Sequence, residues 1–293
     1  MVLLFVAVTF VLMLYLGIVV RTSWVLTRPK RGFVPWNYAP SGIPFEKVVF
    51  LSRDNVELAG WHAHKQGAPG TIIFSHGVWA NHLEMESRAK EMWERGFSVF
   101  LFDYRACGES AGTTTTLGAK EIYDLLGAVD YLLDHNRPRA VGVWGNSMGG
   151  AVAIMASARC PQINAIVSDS AFAALADNVT YGFHAATGLP ARPFMSLVIR
   201  LAQMMSGTKI NSIRPVDIVS AFSPRPLFII QGDQDELVLP NQAHALYTAA
   251  KEPKKLWIIP DCGHVEGFND RTKEFADRVE MFFLDAFSNI SRV

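Results

Sequence analysis

The amino-acid sequence predicts an α/β fold: a mostly parallel, eight-stranded sheet flanked by helices, with a small helical cap insertion and an N-terminal transmembrane helix. Two early strand candidates are followed by alternating strand and helix patterns, which is typical of a parallel sheet with crossover helices. Strand candidates 71–74 and 99–102 are apolar on both faces, as a sheet covered on both sides requires. The predicted strands are 47–52, 56–62, 71–75, 98–104, 140–145, 165–168, 226–231 and 255–259, and the predicted helices of the body are 81–95, 118–135, 148–159, 241–251 and 270–286.

The composition excludes several classes of protein. The chain has 293 residues, of which 50% are hydrophobic, so it can bury enough apolar surface to offset the entropy lost on folding. Its 27 basic and 27 acidic side chains leave no excess positive charge, which argues against nucleic acid as a partner. Three cysteines are too few for a disulfide framework. Length and composition together indicate a globular protein of one large domain or two small ones.

The first segment of the chain is an apolar run, residues 2–20, without a single charge. As a helix it would extend about 28 Å, close to the ~30 Å hydrocarbon core of a bilayer. The alternative is a cleaved signal peptide. No basic residues precede the run, it exceeds the usual ~7–15 residues of a signal-peptide core, and no A-x-A cleavage site follows. We therefore expect residues 1–20 to form an uncleaved transmembrane anchor.

The residues that follow the apolar run predict its orientation. The basic residues among the first 31 all lie after the run, and no acidic residue accompanies them: Arg21, Arg28, Lys30 and Arg31. The positive-inside rule then predicts a single-pass protein of the cell membrane with its body on the cytoplasmic side. Residues 21–45 contain four prolines and predict an extended linker that holds the body, 46–293, off the bilayer.

A long insertion interrupts the alternation of strands and helices. More than fifty residues separate the strand ending at Ser168 from the strand beginning at Pro226, far beyond the usual connection of one helix and short loops. Helical patterns occupy 172–184 and 193–206, so we expect a cap insertion over about 173–224. The helices either pack on the sheet or cover a site. In the second case the candidate substrate-pocket residues are Trp79, Phe194, Met195 and Val198, and Trp79 could equally serve packing alone.

Ser147 is the candidate nucleophile. It lies in Gly145-Asn146-Ser147-Met148-Gly149, a G-x-S-x-G sequence between a predicted strand and a helix rich in small residues. Glycines at this spacing allow the sharp turn that exposes a serine hydroxyl at the end of a strand. The motif alone occurs often by chance, but its position between a strand and a helix favours a nucleophile over an ordinary turn serine.

A serine needs a base, and the base needs an acid that orients it. The last histidine, His264, lies between the final strand and the final helix, where we expect the base. Asp235, in the loop after strand 226–231, is the preferred acid, with Asp233 as a turn-forming neighbour. Asp169 follows the preceding strand and is a rival, because an acid there can also reach the histidine.

The oxyanion of an acyl-transfer reaction needs two backbone donors. We expect one to be the N–H of Met148, at the N-terminus of the helix that follows Ser147. We expect the other to be the N–H of Val78, because Gly77 lets the loop after strand 71–75 turn inward. His76 is interpreted as a residue that stabilises this loop rather than as a second base.

Five motifs together resemble the α/β-hydrolase superfamily. They are His76-Gly77, the loop DYRACGESAG at 103–112, the turn at 145–149, Gly232 with Asp235, and Gly263-His264. The order Ser, Asp, His along the chain is that of this superfamily. The sequence is most similar to its serine esterase, lipase and prolyl-oligopeptidase-like branch, and the resemblance covers about 46–290. Ala106 stands where that branch usually has glycine.

The resemblance implies a serine hydrolase that cleaves carboxylic esters through an acyl-enzyme, without a cofactor or a metal. A small-molecule or lipid ester is the expected substrate, the membrane is a partner through the N-terminal helix, and the loop 103–112 is expected to be structural. A peptidase of the same fold is the enzymatic alternative, although the 45 residues before the body leave no room for the propeller domain usual in such peptidases. A non-catalytic anchored scaffold is the alternative from another class, and it is disfavoured because all three triad positions are filled.

Overall fold

The computed structural model describes residues 1–29, 31 and 42–290. Its sheet has eight strands in the order β1-β2-β4-β3-β5-β6-β7-β8, with β1, β2 and β4 paired antiparallel and all other neighbours parallel. The strands are β1 Glu46–Leu51, β2 Glu57–Ala63, β3 Thr71–Ser75, β4 Ser98–Phe102, β5 Val141–Asn146, β6 Ile163–Asp169, β7 Leu227–Gly232 and β8 Lys254–Ile259. The helices are α1 Val2–Thr27, α2 Glu86–Glu94, α3 Glu121–His135, α4 Met148–Ser157, α5 Leu175–Thr187, α6 Ala191–Ser206, α7 Pro240–Ala249, α8 Gly267–Asp270 and α9 Thr272–Ile290.

The hydrophobic core lies on both faces of this sheet. On one face the sheet packs against α3, α4 and α7, and on the other against α2 and α9. Trp144 of β5 is fully buried there, and its ring stacks on that of Phe275 in α9 with centroids 5.6 Å apart. Strands β3, β4 and β5 are buried along their whole length. This arrangement confirms the predicted three-layer α/β fold.

The strand ends lie within two residues of the predicted positions, whereas two helices begin later than expected. The helix predicted from residue 81 starts with a 3₁₀ turn at His82–Met85, so α2 itself begins at Glu86, and α3 is also late. The pattern predicts a helix from residue 118, but α3 begins at Glu121. The carboxylate of Glu121 turns back and accepts hydrogen bonds from the backbone N–H groups of Thr116 and Gly118, both at 2.8 Å. These bonds hold the preceding residues in a loop, which the apolar periodicity could not show.

Helix α1 differs from the expectation at its C-terminal end. It is long and apolar enough to cross a membrane, a property that signal sequences share, and it continues to Thr27. The prediction of an extended linker from residue 21 is therefore wrong for 21–27, and residues 32–41 lie outside the described part of the chain. The helix also packs directly on the body, because the Ser23 hydroxyl lies 3.1 Å from the Val198 carbonyl and Thr115 N–H donates to the Thr27 carbonyl at 3.1 Å.

The insertion between β6 and β7 contains α5, α6 and three short 3₁₀ turns that end at Phe222. Both helices lie within three residues of their predicted bounds. The apolar face of α6 packs against α1 and α5, in a cluster that includes Val19 and Phe183. The insertion is thus tied to the N-terminal helix as well as to the sheet.

Candidate active site

Ser147 lies at a sharp turn between β5 and α4. Its φ of +50° and ψ of −117° are strained for a residue with a side chain. The backbone at this turn is crowded, since a Cβ on Gly145 would lie 2.4 Å from the Gly149 carbonyl carbon, and one on Gly149 would lie 2.0 Å from the Ser75 carbonyl oxygen. Only glycine fits at these two positions. The sequence thus forms the turn that places a serine at the N-terminus of a helix.

His264 and Asp235 come together at the carboxyl ends of β7 and β8. The Nδ1 atom of His264 lies 2.7 Å from Oδ2 of Asp235. Asp235 also accepts hydrogen bonds from the backbone N–H groups of Leu237 and Val238 and from the side-chain amide of Gln231. Burial opposes the charge on Asp235, but these hydrogen bonds, His264 foremost, outweigh it and lower its pKa. A charged carboxylate therefore holds the histidine ring in one orientation.

The rival acid, Asp169, lies in different surroundings. It is buried, it accepts a hydrogen bond from the hydroxyl of Ser170 at 3.1 Å, and its Oδ2 atom has no hydrogen-bond partner within the described residues. Burial raises its pKa to about 6. The structure thus joins the histidine to Asp235 and not to Asp169.

The loop after β3 lies next to the serine. A Cβ on Gly77 would lie 3.6 Å from the Cβ of Ser147, so Gly77 lies next to the nucleophile. Val78 is the residue that follows Gly77 in the chain. The Gly77 N–H donates to the Glu84 carboxylate at 2.6 Å. His76 accepts a hydrogen bond from the Tyr104 N–H at Nε2, and its Nδ1 lies 2.7 Å from the Gly77 carbonyl, so both ring nitrogens hold the loop. Burial also lowers the pKa of His76, which favours its neutral form.

Comparison with known proteins agrees with this architecture. Residues 72–278 match the α/β hydrolase family. This chain belongs to that family. Among curated relatives, the uncharacterized protein YfhR of Escherichia coli K12 is 30% identical over 86% of this chain and 84% of its own length. The uncharacterized protein YqkD of Bacillus subtilis is 26% identical over 81% and 79%.

The fold is also that of solved esterases. The esterase Pf2001 of Pyrococcus furiosus superposes on this hydrolase with a TM-score of 0.76 at 29% identity, covering 89% of this chain and 98% of the esterase. The esterase domain of a Rhodothermus marinus protein superposes with a TM-score of 0.61 at 18% identity, and this likeness concerns the fold alone. The hydrolase therefore has the framework on which esterases are built.

The loop 103–112 of the hydrolase is structural. The buried Asp103 carboxylate accepts hydrogen bonds from the backbone N–H groups of His82 and Glu109, and the hydroxyl of Ser110 donates to the Asp103 carbonyl. Ala106, which stands where the resemblance leads us to expect glycine, has a φ of +63°. An alanine in this left-handed region costs about 1 kcal/mol of stability relative to glycine, so Ala106 slightly destabilises the loop without preventing it from forming.

In the structure the predicted pocket residues of α6 pack against other helices. Met195 and Val198 are buried in the cluster between α1, α5 and α6, and the Phe194 ring packs on Tyr15 of α1 with centroids 5.0 Å apart. Their apolar character is thus explained by helix packing, which leaves their assignment to an acyl pocket without support. Trp79 is 41% exposed, two residues after Gly77, and stays a candidate for substrate contact.

Three residues that sequence reasoning missed hold the histidine loop, and through Ser170 this loop is joined to the serine turn. The Asp169 carbonyl accepts the Ser147 N–H at 2.7 Å, and the next residue, Ser170, accepts the N–H of Val265 at its hydroxyl at 3.3 Å. Arg88, buried on α2, donates to the Val265 carbonyl at 2.9 Å. No local motif marks Arg88, Ser170 or Val265, because their partners are distant in the sequence.

Proposed function

We propose that this protein is a membrane-anchored serine hydrolase that cleaves carboxylic esters of short- or medium-chain acyl groups or of lipid-like molecules. The observation that carries the proposal is the hydrogen bond of 2.7 Å between His264 and Asp235, on a fold in which Ser147 occupies the strained turn before α4. A histidine oriented by a charged carboxylate is what a serine needs to act as a nucleophile.

In the proposed reaction, Ser147 Oγ attacks the ester carbonyl and His264 Nε2 accepts its proton. Asp235 keeps the proton of Nδ1 in place and stabilises the imidazolium that forms. The backbone N–H groups of Met148 and Val78 donate to the oxyanion, the first with the added field of the α4 N-terminus. The protonated histidine then donates to the leaving alcohol. Water attacks the acyl-enzyme, with His264 again as the base, so this chemistry calls for no cofactor.

Labelling with a fluorophosphonate, which reacts with activated serines, tests the proposal. We expect the wild-type protein to be labelled at Ser147 and to hydrolyse p-nitrophenyl esters. Ser147→Ala should remove labelling and lower kcat by about 10⁴–10⁶. Ser288→Ala, on the exposed surface of α9, is the matched control and should retain both.

Other outcomes would favour the alternatives. An unlabelled but folded wild-type protein would support a scaffold. Faster hydrolysis of aminoacyl amides than of esters would support a peptidase. A series of ester chain lengths, run with a monoacylglycerol, reports the depth of the pocket, since each buried methylene contributes about 0.8 kcal/mol.

The proposed anchoring rests on α1, whose side chains before Tyr15 are mostly exposed and apolar. We expect the protein to remain in the membrane fraction after carbonate extraction and to keep its N-terminal residues, with its body on the cytoplasmic side. A mature N-terminus near Arg21, found by sequencing, would instead show that the helix is a cleaved signal.

A further inference from the structure

The part of α1 that extends beyond the body is shorter than the hydrocarbon core of a bilayer is thick. Hydrogen bonds and ring contacts between α1 and the body begin at Tyr15, so residues 2–14, about 20 Å of helix, lie before the packed part and only border a groove beside it. Crossing the ~30 Å hydrocarbon core takes about 20 residues. About seven more residues must therefore lie in the hydrocarbon, which extends the span to Arg21, the first charged residue of α1.

One face of those seven residues lies against the cap insertion, where Tyr15, Ile18 and Val19 join the cluster with α6. The Tyr15 hydroxyl donates to the Pro193 carbonyl at 3.2 Å, and further along both helices the Ser23 hydroxyl lies 3.1 Å from the Val198 carbonyl. The contacts follow the same order on α1 and α6, so the two helices run in the same direction. If α1 enters the bilayer up to Arg21, the beginning of α6 enters with it.

Two grooves flank α6, the first at its beginning and the second along most of its length. The first, of about 750 Å³, lies between α1 and α6; it is lined almost entirely by apolar side chains, among them Val11, Leu189 and Phe194. The second, which we call the arginine groove, is about 440 Å³ and is lined by both polar and apolar side chains. Its polar lining consists of Thr180, Arg192, Ser196, Arg200, Gln203 and Asn211.

The arginine groove lacks a counter-charge. Arg192 and Arg200 are exposed on α6, and no acidic side chain lines the groove among the residues that the structure describes. Arginine binds phosphate through two parallel hydrogen bonds, so two guanidinium groups on one groove without an acidic neighbour favour a bound anion. Hydroxyl and amide groups from Ser196, Gln203 and Asn211 supply further donors.

We propose that the beginning of the cap is seated in the bilayer, and that the arginine groove binds the phosphate of an anionic phospholipid whose acyl chains lie along the apolar groove. Long arginine side chains can reach the headgroup level from a backbone that lies deeper. The bilayer is the occupant indicated here because the apolar groove is continuous with the membrane helix. This inference rests on the anchoring proposed above but not on the ester chemistry.

The arrangement has a consequence for the substrate. The end of α1 is bonded to the loop after β4, which contains Thr113 and Thr115. The Thr115 N–H donates to the Thr27 carbonyl, and Arg28 donates to the Thr113 carbonyl at 3.1 Å. That loop follows the carboxyl end of β4, the same edge of the sheet at which Ser147 follows β5. An ester lipid would then approach the serine from the membrane surface.

Lipid binding by the full-length protein tests the headgroup site. The background is Ser147→Ala, so that no ester lipid is hydrolysed and the result does not depend on catalysis. Detergent-solubilised protein is titrated with dihexanoyl phosphatidylglycerol, dihexanoyl phosphatidylcholine or inorganic phosphate. We expect at least tenfold tighter binding of phosphatidylglycerol than of the other two, and at least a tenfold loss in Arg192→Gln/Arg200→Gln.

The matched control is Arg139→Gln/Arg159→Gln, which removes two exposed arginines at the opposite edge of the sheet and should bind like the parent. Equal binding by both double variants, or no preference for phosphatidylglycerol, overturns the site. Binding of inorganic phosphate as tight as that of the lipid would show an anion site that does not recognise lipid. Circular dichroism of each variant verifies that it is folded.

The depth of the cap is measured in nanodiscs with brominated acyl chains. The three cysteines within the described residues are buried, so a fluorophore can be directed to Ala186→Cys, near the end of α5, or to Arg159→Cys. We expect bromine to quench the first label and not the second. Equal quenching of the two labels by bromine overturns insertion of the cap. Loss of α1 by cleavage, detected by N-terminal sequencing, refutes the anchoring itself.

Discussion

Two buried carboxylates lie at the carboxyl ends of neighbouring parallel strands, and their surroundings shift their pKa values in opposite directions. Asp235, after β7, receives hydrogen bonds from His264, Gln231 and two backbone N–H groups, and its pKa is lowered. Asp169, the last residue of β6, receives one from Ser170, and burial raises its pKa to about 6. The position at the end of a parallel strand thus does not decide in which direction the pKa of an aspartate shifts; the balance between its burial and the donors around it does.

The largest expected difference between these carboxylates is in catalysis. Asp235→Asn should lower kcat by about 10⁴, because an amide favours the wrong tautomer of His264. Asp169→Asn, the matched control, should stay within tenfold of wild type. Hydrolysis of a p-nitrophenyl ester by purified proteins measures both. If Asp169→Asn shows the large loss and Asp235→Asn does not, the acid has been assigned to the wrong strand.

Asp169 and Asp235 should also contribute differently to the pH dependence of stability. The pKa of Asp169 is raised on folding, so its contribution to stability is complete below pH 4 and is lost as the pH rises through about 6. Asp235 has a lowered pKa, so its contribution is present above its unfolded pKa and is lost as the pH falls through the folded one.

Asp169→Asn should therefore gain stability relative to wild type between pH 4 and 7, by about 2 to 3 kcal/mol. Denaturant unfolding of both proteins in detergent at pH 4.5 and pH 8 measures this gain. If the free energies of unfolding of the two proteins change with pH in the same way, ionisation of Asp169 does not destabilise the fold.

The smallest expected effect concerns the link between the two loops. Ser170→Ala removes the acceptor of the Val265 N–H and the donor to Asp169, which should cost about 1 kcal/mol of stability and lower kcat a few-fold as the His264 loop loosens. Unfolding free energy and ester hydrolysis, compared with those of Ser288→Ala, report the two effects. A loss of activity as large as that of Asp235→Asn would mean that Ser170 contacts the reacting groups.

The sheet and the positions of its functional loops could be predicted from the sequence because their signals are local. Strands apolar on both faces, glycines spaced around Ser147 and a histidine between the last strand and the last helix each depend on a few consecutive residues. Parallel strands then bring the ends of β5, β7 and β8 to one edge of the sheet whatever the details of packing.

Other features depend on contacts between residues far apart in the sequence. The apolar pattern of α6 shows that one face is covered, but only the tertiary structure shows that α1, more than 170 residues away, covers it rather than a substrate. Both Asp169 and Asp235 follow strands, so the sequence keeps them as rivals, and the hydrogen bond to His264 distinguishes them. Periodicity reveals that a side chain is buried, whereas the identity of its partner is set by how the elements pack.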